Sequence, residues 1–562
     1  MSSQSQFKRI TRALGPNAGN PTAHMSRFLQ GTKALLTRHP TVTAMVILTC
    51  LAWLICGTRV LHGDFIMDDW ALRANAHFTG FTGTFHILLQ QDARRPVGAL
   101  YFATIFALVG HHVRALLAIS TIMHLLLAGA LYSLLRELRF VWFDALMIAI
   151  LALLFPNADS TWMWPSASSA SLAITFVLIG CALNLHAMRD RGQRGAAFRV
   201  AGLLLISAGI LTYELVAAIG LASGALYFAC VPRRHALRRW SIDAAVLIGV
   251  LFLFTFRIVP VFHGGDNHEV ATFMQMHEHA HVIVTQSARL LTLSLLPFGT
   301  PRNSTVLGLF AALLILAIVV AFILSHHDDA RRQLVTWLTV TGVGVLTIGL
   351  GYIGFVPSNI YYVPLQPGLG NRVNCVAAIG YALIVYGSAR LVGTLTFRGL
   401  PYSRHLISLL AVGVGVVISL GYVRQIHHDT VAWNQAGILS RTVLQMLDKH
   451  LPTPAPNTSI VTIDAPVETA PGVPVFDASW DLNGAVQLLW NDPNLRAYPM
   501  APGMNITCTS TGLDVNVANG QPSWQTPYPT NLVNVSTGRV FFVSKETRCA
   551  IAATKLGLPE SS

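Results

Sequence analysis

TVTAMVILTCLAWLICGTRVLHGDFIMDDW, residues 41–70, is the stretch that decides the fold. Its first part, 41–61, is apolar and long enough to cross a bilayer, because a helix rising about 1.5 Å per residue needs roughly 20 residues to span about 30 Å of hydrocarbon. Its last part, Gly63 to Trp70, is the densest acidic cluster in the first half of the chain, with Asp64, Asp68 and Asp69. Upstream, residues 1–39 hold Lys8, Arg9, Arg12, Arg27, Lys33 and Arg38 and no acidic residue, among many Gly, Pro, Asn, Ser and Thr. Such a tail is expected to be disordered and to stay in the cytoplasm. The first run therefore reads as a signal anchor that delivers Asp68 and Asp69 to the outer face of a membrane.

Comparable runs recur up to about residue 425 in this chain of 562 residues. Hydrophobic residues make up 53% and charged residues only 11%, against about 25% charged in an ordinary soluble protein. With a mean hydropathy of +0.54, the chain reads as a polytopic α-helical membrane protein. The formal net charge of +13 then marks cytoplasmic loops rather than a nucleic-acid partner, and no nucleic acid is expected. Alternating the basic flanks predicts about eleven transmembrane helices. They fall at 41–61, 113–135, 140–157, 166–187, two short spans within 200–230, 241–260, 304–325, 333–355, 373–391 and 404–424. The transmembrane domain is 40–425, with its N-terminus inside.

Two apolar stretches are set apart as interfacial helices in the outer loops. Residues 97–110, within a long first outer loop at 62–112, are too short to cross. Residues 283–298 are amphipathic and carry Arg289. Residues 426–562 change character, with a plausible amphipathic helix at 431–449 and short β-type runs at 459–463 and 540–543 among Pro, Gly and Asn clusters. They are expected to form a small extracytoplasmic α+β domain. Trp480, Trp490, Trp524 and Tyr528 could form a sugar-stacking surface, but core packing is the expectation for them. Cys50, Cys56, Cys181, Cys230 and Cys375 lie in or beside apolar runs and read as small hydrophobes. Cys508 and Cys549 form the one pair in the polar part and are expected to be joined outside the cytoplasm.

On this topology Asp68, Asp69, Asp92, Asp159 and Glu214 all fall on the outer side, at loops or span ends. A carboxylate inside an apolar run, as Glu214 is, marks a functional candidate. Against the positive-inside bias, Arg73, Arg94, Arg95, Arg289, Arg302 and Arg372 share that side. The guanidinium fork matches phosphate oxygens bidentately, so outer arginines beside carboxylates suit a phosphate-bearing substrate. They also suit anionic membrane lipid or structural carboxylates.

Four local patterns resemble the GT-C superfamily of membrane glycosyltransferases, such as protein O-mannosyltransferases and lipid A aminoarabinose transferases. An acidic pair follows the first span, Asp68–Asp69–Trp70. An Arg–Pro step, Arg95–Pro96, opens the interfacial helix, and a His-bearing span runs from His124 to Arg139. A turn from Pro156 through Asp159 to Trp162 follows the third span. An outer acid, Glu214, follows Tyr213, where the family usually has Lys. The likeness covers roughly 40–425. It implies a polyprenyl-phosphate sugar donor and a glycan, lipid or protein acceptor at the outer face; the general look of the chain sets the expectation of a bacterial inner membrane. Asp68 or Asp69 would act as general base on the acceptor hydroxyl, Asp68 aligning with the first acid of the family's pair. Arg94, Arg95 and Arg372 would hold the departing phosphate, with Asp159 and Glu214 at the substrate site. No further cofactor is implied, and one Asp–Asp pair leaves open whether a divalent metal assists.

Two other classes compete. A transporter or flippase of lipid-linked saccharide would show paired pseudo-symmetric halves with broken helices near the midplane, which the sequence does not display. His277–Glu278–His279–Ala280–His281 matches H-E-x-x-H, in which His277 and His281 would bind zinc and Glu278 would activate water. The surrounding segment is rich in histidine, and a solvated loop is the expectation there.

Overall fold

The structure is a computed structural model and describes residues 39–190, 192–254, 272–298, 328–358, 362–397, 403–501, 503–517 and 522–544. The basic tail before residue 39, the end of the 241–260 run, His263, His268, Arg302, the 304–325 run and Cys549 lie outside the described residues.

In chain order the helices begin with α1 (Pro40–His62), α2 (Asp68–Gln91), α3 (Pro96–Val109), α4 (Val113–Glu137) and α5 (Trp142–Leu153). After a compact turn at 156–167 come α6 (Ser168–Ala187), α7 (Gln193–Thr212), α8 (Glu214–Ala229) and α9 (Arg233–Leu253). Next are α10 (Phe273–Leu295), α11 (Asp328–Ile353), a 3₁₀ turn at Gly368–Asn374, α12 (Ala377–Phe397) and α13 (Ser403–His450). Among the described residues seven helices are long and apolar enough to cross a membrane: α1, α4, α6 with its lead-in from Pro165, α7, α11, α12 and α13. α3, α5 and α8 are apolar but shorter.

Several boundaries differ from expectation for identifiable reasons. The first outer loop is mostly helical, because α2 fills it and turns at Gly80, whose φ of 64° suits a residue without Cβ. The 140–157 run yields only 12 helical residues, since Pro156 opens a 3₁₀ turn. Two helices meet at Tyr213 and Glu214, where the 200–230 run was expected to break, but α7 starts earlier and is full length while α8 is short. The charged first half of α7 is tolerated because Arg199 pairs with the buried Asp243 at 2.6 Å. Tyr213, in extended conformation, then ends it. The amphipathic helix expected at 283–298 begins ten residues sooner, on a capping box between Thr272 and Gln275, so His277 to His281 are helical and not a loop. The span at 404–424 and the helix at 431–449 are one continuous helix of 48 residues.

Beyond α13, strand β1 (Ser459–Ile463) pairs in parallel with β4 (Arg496–Pro499) and β8 (Thr530–Asn534), and β8 pairs antiparallel with β9 (Arg539–Val543). Between β1 and β4 lie the ribbon β2 (Glu468–Ala470) and β3 (Val473–Pro474), then helix α14 (Ser479–Trp490). A meander of β5 (Met504–Cys508), β6 (Gly512–Val517) and β7 (Pro522–Pro527) completes the region. Val461, Ile463, Leu513, Val515 and Leu532 form its core, with Trp524 and Tyr528 packed against it. Trp480 is instead 54% exposed. The five cysteines in or near the apolar runs are free. Cys508 is disulfide-bonded.

Candidate functional site

The acidic stretch 63–70 folds as a tight turn leading into α2. Met67 has φ of 51°, a left-handed conformation that costs a non-glycine residue of order 1–3 kcal/mol and persists only where neighbours over-determine it. They do. Arg59 Nη2 donates to Asp64 O at 2.9 Å, and Phe65 N–H to Asp64 Oδ1 at 2.9 Å. Ile66 N–H donates to Asp69 Oδ2 at 3.1 Å, and Trp164 Nε1 to Ile66 O at 3.1 Å. Arg59 is 1% exposed and also donates to Met163 O (3.0 Å), Trp433 O (3.1 Å) and Asn434 Oδ1 (3.3 Å). It thereby ties α1 to the 156–167 turn and to α13. Asp64 is buried and ion-paired with Arg441. Gly437 lies against it so closely that a Cβ would come within 2.5 Å of Asp64 Cβ.

The two aspartates that follow have different surroundings. Asp69 is fully buried, and both its oxygens are occupied, Oδ1 by Ser166 N–H (3.0 Å) and Oγ–H (2.5 Å), Oδ2 by Ile66 N–H. Burial pushes its carboxyl up to about 7, with Asp68 adding to the rise and the Ser166 and Ile66 hydrogen bonds and Arg59 opposing it. Asp68 is only partly buried. It accepts one hydrogen bond, from Trp480 Nε1 at 2.7 Å. Burial raises its carboxyl too, while the Trp480 bond and the Arg372 charge pull it back.

Arg372 sits in the 3₁₀ turn, 5.3 Å from the Trp164 ring and 5.8 Å from the Tyr362 ring. Its buried Nε has no hydrogen-bond partner among the described residues. The neighbouring Asn371 holds the turn: its Oδ1 accepts from Ser160 N–H (3.1 Å) and Ser160 Oγ–H (2.6 Å), and its Nδ2 donates to Asp159. Asp159 is itself 1% exposed. Burial, followed by repulsion from Asp429, drives its carboxyl well above the ordinary range. Asp159 thus clasps two turns together and offers nothing to solvent.

Arg95 and Glu214 find each other. Arg95 Nε lies 2.6 Å from Oε2 and Nη2 2.5 Å from Oε1, a bidentate fork, and the guanidinium stands 4.6 Å over the Tyr213 ring. Asp92 adds a contact to Arg95 at 3.1 Å. Arg94 is 47% exposed and 3.9 Å from Asp92. Burial would raise Glu214, but the Arg95 fork outweighs it and holds the carboxyl below the usual glutamate range. A depressed folded pKa stabilises above the unfolded value near 4.3 and loses that effect as pH falls through the folded value. Glu214→Gln is therefore expected to cost about 1 kcal/mol at pH 7, discounted because both side chains are over a third exposed. The variant's unfolding temperature should converge with wild type below pH 4, and a constant gap down to pH 3 would contradict the pairing.

His277, Glu278 and His281 are exposed on α10, while His279 is buried with Nε2 2.9 Å from Tyr362 O. Among the described residues no group of three or more His, Cys, Asp or Glu side chains comes together as a metal site. Within the Asp68–Asp69 pair, Asp69 accepts three hydrogen bonds and Asp68 one, so Asp68 has the less committed carboxylate.

Two contributors escaped the sequence. Arg59 carried a usable signal, a charge inside an apolar run. Ser166 carried none, since its partner lies 97 residues away in sequence. Trp480 is legible as a candidate, but its pairing with Asp68, 412 residues away in sequence, is hidden.

No family model matches the chain, and no curated protein matches it. Among solved structures, the Archaeoglobus fulgidus oligosaccharyltransferase tethered through a disulfide bond to an acceptor peptide containing the NVT sequon is similar, with a TM-score of 0.34 and 12% identity over 83% of this chain. This chain spans 64% of that protein's length.

Proposed function

We propose that the protein is an integral-membrane glycosyltransferase of GT-C type that moves a sugar from a polyprenyl-phosphate donor to a glycan, lipid or protein acceptor. One observation carries this reading. A cation framed by two aromatic rings, with an N–H left over, stands within electrostatic reach of a partly exposed carboxylate. In the proposed step the acceptor hydroxyl attacks the anomeric carbon and inverts it. A new C–O bond forms as the bond from that carbon to the phosphate oxygen breaks, and the hydroxyl proton passes to Asp68. The lipid phosphate leaves with the bonding pair and is held by Arg372 and, from the rim, Arg94. Asp69, with both oxygens hydrogen-bonded, fixes the turn that aims Asp68. Arg95, Glu214 and Asp159 position the surrounding turns. We place the chemistry on the periplasmic face of a bacterial inner membrane, with the C-terminal α+β domain on the same side.

The test uses full-length protein in lipid nanodiscs with radiolabelled polyprenyl-phosphate sugars and envelope fractions as acceptors. Label should leave the lipid, and Arg372→Ala should lower kcat about 10²- to 10³-fold with an unchanged melting curve. Retention of all label on the donors, with neither acceptor nor water receiving sugar, would sink the proposal.

A further inference from the structure

Within the described residues after α13, Trp480 and Phe542 are the large apolar side chains left exposed, at 54% and 53%. The remaining exposed large apolar residues lie on helices, most of them the apolar ones that can meet lipid, except Val141, Leu296 and Phe298 just beyond helix ends. Trp480 differs from Phe542 in where its polar edge goes. Its Nε1 donates to Asp68 Oδ1 at 2.7 Å, so one edge of an open indole is pinned to the carboxylate proposed as base.

The indole is also held from behind. Trp480 lies in the first turn of α14, whose Asp481 is buried and accepts from the N–H groups of Asp477, Ala478 and Leu482. Four residues on, Gly484 rests on the α2 backbone, and a Cβ there would approach Trp70 C and O to 2.7 Å. At the far end of the helix, His77 Nε2 and Asn491 Oδ1 are 2.9 Å apart. α14 is thus fixed to α2 along its length, and the exposed ring has little freedom to move relative to Asp68.

A rigid indole with its face open and a carboxylate at its edge matches the two surfaces of a pyranose. The ring face is electron-rich and attracts the partly positive axial C–H groups, while the carboxylate accepts from an equatorial hydroxyl at the rim. An acyl chain would satisfy the first surface and leave the second unused, and a Ser or Thr side chain would reach the second while offering no ring-sized C–H face to the first. We propose that Trp480 is an acceptor-binding platform and that the acceptor is a carbohydrate, stacked on the indole with one hydroxyl delivered to Asp68. For the role of Asp68 this rests on the transferase reading; the stacking does not.

The experiment therefore begins without donor. Full-length protein in phosphatidylcholine nanodiscs is mixed in turn with methyl α-mannoside, methyl β-galactoside, methyl β-N-acetylglucosaminide and a Ser/Thr-rich peptide, and saturation transfer is recorded by NMR. At least one glycoside should receive saturation on its C–H protons. Trp480→Phe, which keeps a ring but not the N–H, should retain most of the signal, and Trp480→Ala should lower it about fivefold, the loss expected for one aromatic contact. In the transfer assay Trp480→Ala should raise the acceptor KM about fivefold and leave the donor KM unchanged. Trp480→Phe should keep the acceptor KM and move the acid limb of kcat/KM upward, a change that lost packing alone would not produce. Equal glycoside signals in wild type and Trp480→Ala overturn the platform, as does Trp480-dependent saturation of the peptide alone. Trp480-dependent glycoside binding with no transfer from any donor supports the platform and overturns the transferase reading instead.

Discussion

Asp68→Asn is expected to lower transfer about 10²- to 10⁴-fold, the usual contribution of a positioned general base, with no change in the unfolding transition. Asparagine keeps an oxygen for Trp480 Nε1 and nearly the same volume, so only the proton acceptor is lost. Wild-type kcat/KM should fall toward acid with a midpoint above the ordinary aspartate value of about 3.9, since burial raises the Asp68 carboxyl. In Asp68→Asn that limb should disappear from the residual rate. Wild-type turnover in the variant would remove Asp68 from the chemistry. Asp69 is no substitute for this test, because an amide there would turn Nδ2 toward the Ile66 N–H and disturb the fold.

The largest effect on stability is expected from Arg59→Met. Methionine fills similar apolar volume but removes the donors to Asp64 O, Met163 O, Trp433 O and Asn434 Oδ1. Buried carbonyls left without partners cost about 1–3 kcal/mol each, and losing one member of a buried charged network typically costs 3–5 kcal/mol. A loss of about 3–5 kcal/mol should show as a lower unfolding temperature in nanodiscs and faster proteolysis after α2. Transfer should fall as well, because the Met67 conformation that aims Asp68 loses one of its four restraints. Unfolding at the wild-type temperature would show that the turn holds itself.

What the sequence made legible follows from what periodicity and charge can encode. Apolar length marked the helices that can cross a membrane, and β1 and β9 lie where short β-branched runs suggested. Helix continuity was hidden where polar residues sit on an exposed stretch of helix. Ile426-His427-His428-Asp429-Thr430 looked like a boundary, yet α13 runs straight through it. Likewise the Thr272–Gln275 capping box announced a helix start, but the histidines after it read as loop. In the site, residue types and their approximate neighbourhood were legible, whereas their division of labour was not. Asp68 and Asp69 are adjacent in sequence, and only tertiary contacts make one a buried acceptor of three hydrogen bonds and the other a partly exposed acceptor of one. Arg95 and Glu214 were each expected to meet substrate, and a fork 119 residues apart in sequence spends both on each other.

The unbroken course of α13 has a mechanical consequence. Its 48 residues extend about 72 Å at 1.5 Å per residue, from an apolar first half to the Gly437–Asp64 and Arg441–Asp64 contacts in its second. No hinge intervenes, so the angular phase of the second half about the helix axis is set by counting residues. One residue added between 425 and 436 rotates Gly437 about 100° away from Asp64. Length changes in this segment are thus quantised: seven residues restore the phase to within about 20° but lift the upper half by roughly 10 Å. The helix behaves as a keyed shaft, fixing height and azimuth together.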